Sequence, residues 1–181
     1  MNEGHLPYIV EMDSATLEDL MNTYGQDMWN FAYSLTKNRS MADDIIQDVF
    51  IQAYLNVTSF RGEASVKTWL LRITRNISYN YRKSAFIRKV LLVDVVMSRG
   101  QAYSAEKSFM ENEAVHEVWK QLLRLPTKYR EVLLLQAKHG LPLGEIAQIL
   151  QIPEGTVKSR LFAARKKMSI LLKQEEHYGT V

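Results

Sequence analysis

Residues 143–168 read LGEIAQILQIPEGTVKSRLFAARKKM, and this stretch decides the fold of the C-terminal part of the chain. Two short helices around a tight turn are predicted, because each segment repeats apolar residues at helical spacing. The inward residues of the first helix are Ile146, Ala147 and Leu150, with Ile152 at the turn. Those of the second helix are Val157, Leu161, Ala164 and Met168. The pattern predicts a helix-turn-helix, a motif that places its second helix in the major groove of DNA.

The opposite side of the second helix carries the chemistry of a DNA-reading surface. Cations there can bind phosphates and guanine edges, and hydroxyl and aromatic groups can contact bases and thymine methyls. Backbone amides at the helix N-terminus can hold a phosphate. The predicted DNA-binding residues are Thr156, Lys158, Ser159, Arg160, Phe162, Arg165 and Lys166. The alternative is a helical hairpin with a solvated basic face.

A second basic segment, residues 60–83, interleaves cations with aromatic and amide side chains. Cations bind the phosphate backbone of a nucleic acid, aromatic rings stack on unpaired bases, and amides form hydrogen bonds with base edges. This segment therefore suits single-stranded or melted DNA. The candidate residues are Phe60, Arg61, Lys67, Arg72, Arg75, Asn76, Tyr79, Asn80, Arg82 and Lys83. Periodicity also allows a solvated basic face over an aromatic core, in which Trp69 points inward.

An acidic segment, residues 43–54, precedes this basic one. Asp43, Asp44 and Asp48, together with Gln47, form a polar side that could dock on a basic protein surface. Read in isolation, the same residues could simply cap and solubilise a helix. They do not look like a catalytic or metal site, because no His or further carboxylate converges on them in sequence.

Composition excludes several classes of protein. The 181 residues contain no cysteine, so a disulfide framework and thiolate metal sites are ruled out. The four histidines are scattered without metal-ligand spacing, so no metal and no other cofactor is expected. No segment has the pattern of a signal peptide or a membrane span, so we expect a cytoplasmic protein. The net charge of +3 is small, which makes its distribution more informative than its sum.

Helical spacing throughout predicts an all-α chain of two small helical domains joined by a flexible linker. The predicted domains are residues 1–84 and 113–181, with the linker at 85–112, where periodicity weakens. In the first domain, helices are expected from Thr16 (capped with Asp19), from Ser40 (capped with Asp43) to about Val57, and from Ser65 to about Lys83. The inward residues of the last helix are expected to be Val66, Trp69, Leu70, Ile73 and Ile77. In the second domain, Pro126 should stop one helix and Thr127 should cap the next. The apolar run Leu91–Met97 has no role that the sequence explains.

In this order, the segments resemble the extracytoplasmic-function sigma factors of bacteria. ADDIIQDVFIQAY (42–54) is similar to their polymerase-binding helix and SFRGEASVKTWLLRITRNISYNYRK (59–83) to their segment that recognises and melts the minus-ten element. LPTKYREVLLLQAKHGLPLGEIAQILQIPEGTVKSRLFAARKKM (125–168) resembles the domain that reads the minus-thirty-five element. Ala163 departs from the family, which often has a basic residue there.

The resemblance implies a role for each segment and a set of partners. Core RNA polymerase would be bound through the clamp helices of its largest subunit and its flap. The residues implied at the clamp are Asp43, Asp44, Gln47, Asp48 and Phe50. The loop Phe60–Ala64 and the helix bearing Asn76 and Asn80 would hold a flipped base and the melted strand of promoter DNA. An anti-sigma factor, possibly membrane-bound, would hold the protein inactive until a stress or envelope signal arrives. No small-molecule substrate and no enzymatic activity are implied.

Two other functions are compatible with parts of the sequence. A helix-turn-helix regulator could use its first domain to sense a ligand or to dimerise, but such a domain has no need for the basic, aromatic face of 60–83. A nucleic-acid-processing enzyme would need clustered carboxylates or histidines, which the sequence does not supply.

Overall fold

The computed structural model describes residues 13–60, 62, 64–91 and 113–178. Every regular element in these ranges is helical, so the all-α prediction is confirmed. The chain divides into two compact units, Met1–Gly100 and Gln101–Val181.

Three helices that all contact one another form the N-terminal unit. They are α1 (Ser14–Thr36), α2 (Arg39–Leu55) and α3 (Val66–Leu91), and a single 3-10 turn (Val57–Ser59) follows α2. Each helix contributes one apolar face to the core, as helical periodicity requires. The largest core side chains are Met28, Phe31, Leu35, Ile45, Phe50, Leu70 and Leu71.

The first two helices begin with caps other than those predicted. Asp13 caps α1 by accepting a hydrogen bond from the Thr16 backbone N–H at 2.8 Å, and Asn38 caps α2 by accepting one from the Met41 N–H at 2.9 Å. Hydrogen bonds from Thr16 also lower the pKa of the Asp13 carboxyl. The prediction of Thr16 and Ser40 as caps was wrong. Asp13 stands three residues before Thr16 and Asn38 two residues before Ser40, and the side chains of Asp13 and Asn38 reach the first free N–H groups.

The cap of α3 agrees with the prediction, but its core-facing stripe does not. The Ser65 hydroxyl accepts from the Thr68 N–H at 3.1 Å. Thr74 and Ser78 are fully buried, whereas Ile73 and Ile77, predicted to face inward, are only half-buried. Each buried hydroxyl donates to the carbonyl one turn earlier, Thr74 to Leu70 at 2.8 Å and Ser78 to Thr74 at 2.7 Å. The pairing removes the cost of burying a hydroxyl, so these small residues can line a close helix contact.

The end of α3 lies beyond the predicted one. The helix continues to Leu91, so the domain boundary predicted at residue 84 falls inside it. No Gly or Pro stands between Lys83 and Leu91, and weakened periodicity alone does not end a helix. The rest of the predicted linker, with residues 92–97 of the apolar run, lies outside the described residues.

Four helices form the C-terminal unit: α4 (Glu113–Arg124), α5 (Thr127–Ala137), α6 (Leu143–Leu150) and α7 (Glu154–Tyr178). The first three all contact α7. Pro126 separates α4 from α5, as predicted, but Thr127 is the first helical residue, and the cap is Pro126, which forms no side-chain capping bond. A proline immediately before a helix already presets the backbone, and its carbonyl accepts from the Tyr129 and Arg130 N–H groups.

The turn between α6 and α7 is held by backbone geometry. Gln151 adopts the left-handed conformation with φ 55°, which lets the Ile152 N–H bond the Ala147 carbonyl at 3.1 Å. This 6→1 bond satisfies a carbonyl that the end of α6 would otherwise leave free. The turn therefore fixes where α7 starts relative to α6.

Candidate nucleic-acid and polymerase interfaces

The second helix of the helix-turn-helix, α7, has the two faces that its sequence predicts. Its apolar residues Val157, Leu161, Ala164 and Met168 are all buried. On the other side, Phe162 is 73% exposed, although Phe side chains are usually buried in the core. The cations and hydroxyl around Phe162 are also exposed, namely Lys158, Ser159, Arg165 and Lys166. Thr156, in the first turn, is half-buried.

Two arginines of this helix are held by α5. Arg160 forms an ion pair with the buried Glu131, with 3.7 Å between its Nη1 and the Glu131 Oε1. Arg165 donates a hydrogen bond to the Gln136 Oε1 at 2.6 Å. Sequence reasoning missed both partners, because each stands 29 residues from its arginine and outside the helix-turn-helix pattern. The arginines therefore do not share one environment: Arg165 is exposed, whereas Arg160 is partly buried.

The outer surface of α3 carries a polar stripe. Arg72, Asn76, Asn80 and Lys83 follow one another at intervals of three or four residues, and all four are exposed. This stripe lies on the other side of the helix from the buried Leu70, Thr74 and Ser78. Two amides between two cations form a surface able to contact both bases and backbone.

Tyr79 lies beside this stripe between two arginines. The guanidinium carbon of Arg75 is 4.6 Å from the centre of its ring and that of Arg82 is 5.4 Å away. Such contacts favour a cation over an aromatic face. The three residues form a half-buried cluster of flat groups, the shape on which a base can stack.

Three other residues predicted to contact melted DNA have different surroundings. Phe60 is buried, and its ring centre lies 5.2 Å from that of Trp69, so it packs in the core of the unit, and its contact with melted DNA stays a prediction. The alternation of aromatic and basic residues did not distinguish a core ring from a surface ring. Lys67 pairs with Asp27 of α1 at 3.1 Å. Arg61 lies outside the described residues.

The acidic residues of α2 do not all face outward. Asp44 and Gln47 are exposed. Asp43 accepts a hydrogen bond from the Trp29 Nε1–H of α1 at 2.6 Å, and Asp48 accepts one from the Tyr81 hydroxyl of α3 at 2.7 Å. These two carboxylates therefore also bind α2 to its neighbours.

Phe50 does not belong to this acidic face. Its side chain is buried in the core of the N-terminal unit, and the polymerase contact that the resemblance implies for it stays a prediction. Phe50 follows the buried Ala42 by eight residues and precedes the buried Ala53 by three, which places it on the inward side of α2.

Two exposed apolar residues extend the acidic face instead. Ile51 and Leu55 follow Asp44 and Gln47 at helical spacing, and both are exposed. We call Asp44, Gln47, Asp48, Ile51 and Leu55 the α2 stripe. Its apolar half, Ile51 and Leu55, was not among the residues predicted from the sequence.

No group of three or more His, Asp or Glu side chains in the described ranges is arranged to hold a metal ion. Of the helices described, none combines the length and apolar content that crossing a membrane requires.

Comparison with known proteins accounts for both units. Residues 20–85 match the family described as sigma-70 region 2, and residues 116–168 match sigma-70 region 4. The ECF RNA polymerase sigma factor SigW of Bacillus subtilis (strain 168) is 31% identical over 177 residues, which cover 93% of this chain and 95% of SigW. The chain belongs to the extracytoplasmic-function (ECF) sigma factors. It therefore binds core RNA polymerase and directs transcription initiation at specific promoters.

Other relatives agree with this membership. The ECF RNA polymerase sigma-E factor of Haemophilus influenzae is 32% identical over 139 residues, covering 71% of this chain and 73% of that one. The solved sigma factor RpoE of Bartonella quintana, in complex with the anti-sigma factor NepR, has a TM-score of 0.70 at 25% identity and covers 86% of this ECF sigma factor and 96% of its own chain. CnrH, solved with the cytosolic domain of CnrY, shares the fold with a TM-score of 0.62 at 24% identity, covering 90% of each chain.

Proposed function

We propose that the α2 stripe is the surface of this ECF sigma factor that docks on core RNA polymerase. Protein interfaces combine a buried apolar centre with a polar rim, and the stripe offers both within four helical turns. Asp44 and Gln47 supply charge and hydrogen bonding to a basic partner, and Ile51 and Leu55 supply apolar area. The exposure of these two side chains is the observation that supports docking over simple solubilisation, because a solubilising face has no need for them.

The outer stripe of α3 is proposed to hold the melted strand of the promoter. Unstacking a base costs a few kcal/mol, which stacking and hydrogen bonds in the protein must offset. Asn76 and Asn80 supply the hydrogen bonds, and Tyr79 between its arginines supplies a flat cationic surface. Arg72 and Lys83, at the two ends of the stripe, would contact backbone phosphates.

The exposed face of α7 is proposed to read the upstream promoter element as a duplex. The observation that carries this proposal is the exposure of Phe162 among Lys158, Ser159 and Arg165, on a helix whose other face is fully packed. Such a face can enter a major groove without unfolding the motif. Cations bind there mostly through phosphates, and Phe162 can contact thymine methyl groups.

Control by an anti-sigma factor is proposed from the relatives. The Bartonella quintana sigma factor, which shares the fold over 86% of this chain, was solved bound to an anti-sigma factor. A protein of this kind would work in the cytoplasm, respond to stress or to an envelope signal, and catalyse no bond chemistry itself.

A reconstituted transcription assay tests the docking and promoter proposals together. The purified chain is added to core RNA polymerase and a randomised promoter library, and transcripts with defined start sites are expected. Asp44→Lys should reduce both polymerase binding and transcription. The matched control is Asp19→Lys on α1, which also reverses an exposed aspartate and should leave both unchanged.

Two results would contradict these proposals. Specific duplex binding without any transcription would favour the helix-turn-helix regulator. Equal effects of Asp44→Lys and Asp19→Lys would remove the α2 stripe from the interface, because they would show a general effect of charge.

A further inference from the structure

The ion pair between α5 and α7 joins a buried acid to the DNA-reading helix. Glu131 is 1% exposed, whereas the Arg160 side chain is 26% exposed. Arg160 comes directly after Ser159 and two residues before Phe162, in the middle of the proposed reading face. The neighbouring Arg130 is also buried and donates to the Leu125 carbonyl at 2.7 Å, so this part of α5 is anchored to the preceding loop as well.

A buried ion pair is weak evidence for stability. Removing a carboxylate and a guanidinium from water costs about as much as their attraction returns, and an apolar pair of similar size often stabilises a fold equally well. What an ion pair adds is a defined relative orientation of the two elements that carry it, because its charged groups must meet in one geometry.

We propose that Glu131 is a positioning residue for promoter reading, acting through Arg160. Glu131 holds the Arg160 guanidinium against α5, and this contact sets the rotation from which Lys158, Ser159 and Phe162 enter the groove. Arg160 then sets the orientation of α7 and does not bind a phosphate. This differs from the direct DNA contact that the sequence predicts for Arg160. The inference rests on the proposed reading of duplex DNA by α7.

The test measures duplex binding by the full chain assembled with core RNA polymerase. The probe is a promoter duplex selected from the randomised library, with a scrambled duplex of the same length as its reference. Glu131→Gln keeps the size of the side chain and removes its charge, and Arg160→Gln removes the partner. Affinity is measured across about 50 to 200 mM salt, the range over which loss of phosphate contacts is readily seen.

Each expected result separates positioning from phosphate binding. Glu131→Gln and Arg160→Gln should each weaken binding to the selected duplex about tenfold, while binding to the scrambled duplex changes little, because a rotated helix loses base contacts first. The slope of log affinity against log salt should be unchanged in both. The double variant should lose no more than the more affected single variant, since both single variants remove the same ion pair. Lys158→Gln, a phosphate-contact control, should reduce the slope by about 0.9.

Three outcomes would overturn the proposal. A slope reduced by about 0.9 in Arg160→Gln would show that Arg160 contacts a phosphate. Unchanged discrimination between the two duplexes in both variants would show a purely structural pair. Additive losses in the double variant would show that the two residues act separately. If Glu131→Gln does not fold at the assay temperature, Arg160→Gln decides alone, because its side chain is partly exposed.

Failure of the proposed reading by α7 would look different. Phe162→Ala and Lys158→Gln would then bind the selected duplex as tightly as the unaltered chain does.

Discussion

Truncation of the apolar half of the α2 stripe should weaken the binding of core polymerase without weakening the fold. Ile51→Ala and Leu55→Ala remove side chains that are 56% and 68% exposed in the free protein. Exposed surface substitutions usually change the free energy of unfolding by less than about 0.5 kcal/mol. Any larger effect on polymerase affinity would therefore come from the interface itself.

The expected loss follows from these exposed fractions. Complete burial of an Ile or Leu side chain is worth about 1.5–3 kcal/mol, so burying the exposed 56% of Ile51 is worth about 0.8–1.7 kcal/mol. Because alanine retains one methyl group, Ile51→Ala should cost about 1 kcal/mol, which is roughly fivefold in the dissociation constant. Leu55→Ala should cost slightly more, and the double variant about 2 kcal/mol, roughly thirtyfold.

The assay is competition for core polymerase against a fluorescently labelled copy of the unaltered chain. Ile170→Ala is the matched control, because Ile170 is 48% exposed and lies in the C-terminal unit, outside every proposed interface. Thermal unfolding of all variants checks that the fold is intact. If Ile51→Ala and Leu55→Ala bind as Ile170→Ala does, the apolar half of the α2 stripe is not buried by polymerase and the reasoning fails.

Three further changes probe single structural features. Asn76→Ala should weaken strand opening, measured as lower reactivity of unpaired thymines, while protection of the upstream duplex in a footprint persists. Equal loss of both signals would contradict the division of roles between α3, which opens the strands, and α7, which binds the duplex. Tyr81→Phe removes the hydroxyl that donates to Asp48 and should lower the free energy of unfolding by about 1 kcal/mol in urea; an unchanged midpoint would show that the bond contributes nothing. Gly140→Ala should cost about 1–2 kcal/mol, because φ is +69° there and no atom lies within 4 Å of an added Cβ, so backbone conformation alone is penalised. Gly155→Ala, with equally open space in a helix, should not destabilise the protein.

Helical periodicity predicted most of the fold, because apolar residues at helical spacing line the buried sides of the described helices. It did not predict the polar residues buried beside them, such as Thr74 and Ser78 of α3. A hydropathy pattern cannot predict this, because the hydroxyls become compatible with the core only through bonds to carbonyls of their own helix. The caps of α1 and α2 were predicted wrongly for a related reason: more than one short polar residue stands near the start of each of these helices, and backbone geometry decides which of them reaches a free N–H.

The candidate sites were predictable in residue type but less so in exposure. On α7 the buried and exposed faces agree with the sequence, because the spacing of apolar residues is strict over the twelve positions from Val157 to Met168. Phe50 and Phe60, which a motif assigned to partner contacts, are both buried, and those contacts stay predictions. Glu131 was missed since a buried acid leaves no local pattern, and only the fold brings it to Arg160.

The bond between Asp48 and Tyr81 decides which acid tests docking most cleanly. Asp48 lies on the α2 stripe, but its carboxylate also accepts a hydrogen bond from α3, the helix proposed to hold the melted strand. Charge reversal at Asp48 would therefore lower polymerase affinity directly and would also disturb α3. A loss of transcription in that variant could arise from either effect. Asp44 is exposed on the same stripe, so Asp44→Lys changes the docking charge while the contact between the two helices stays in place. Comparing the two variants separates docking from strand capture: a promoter-opening defect in Asp48→Lys that exceeds its loss of polymerase affinity would be the contribution of α3.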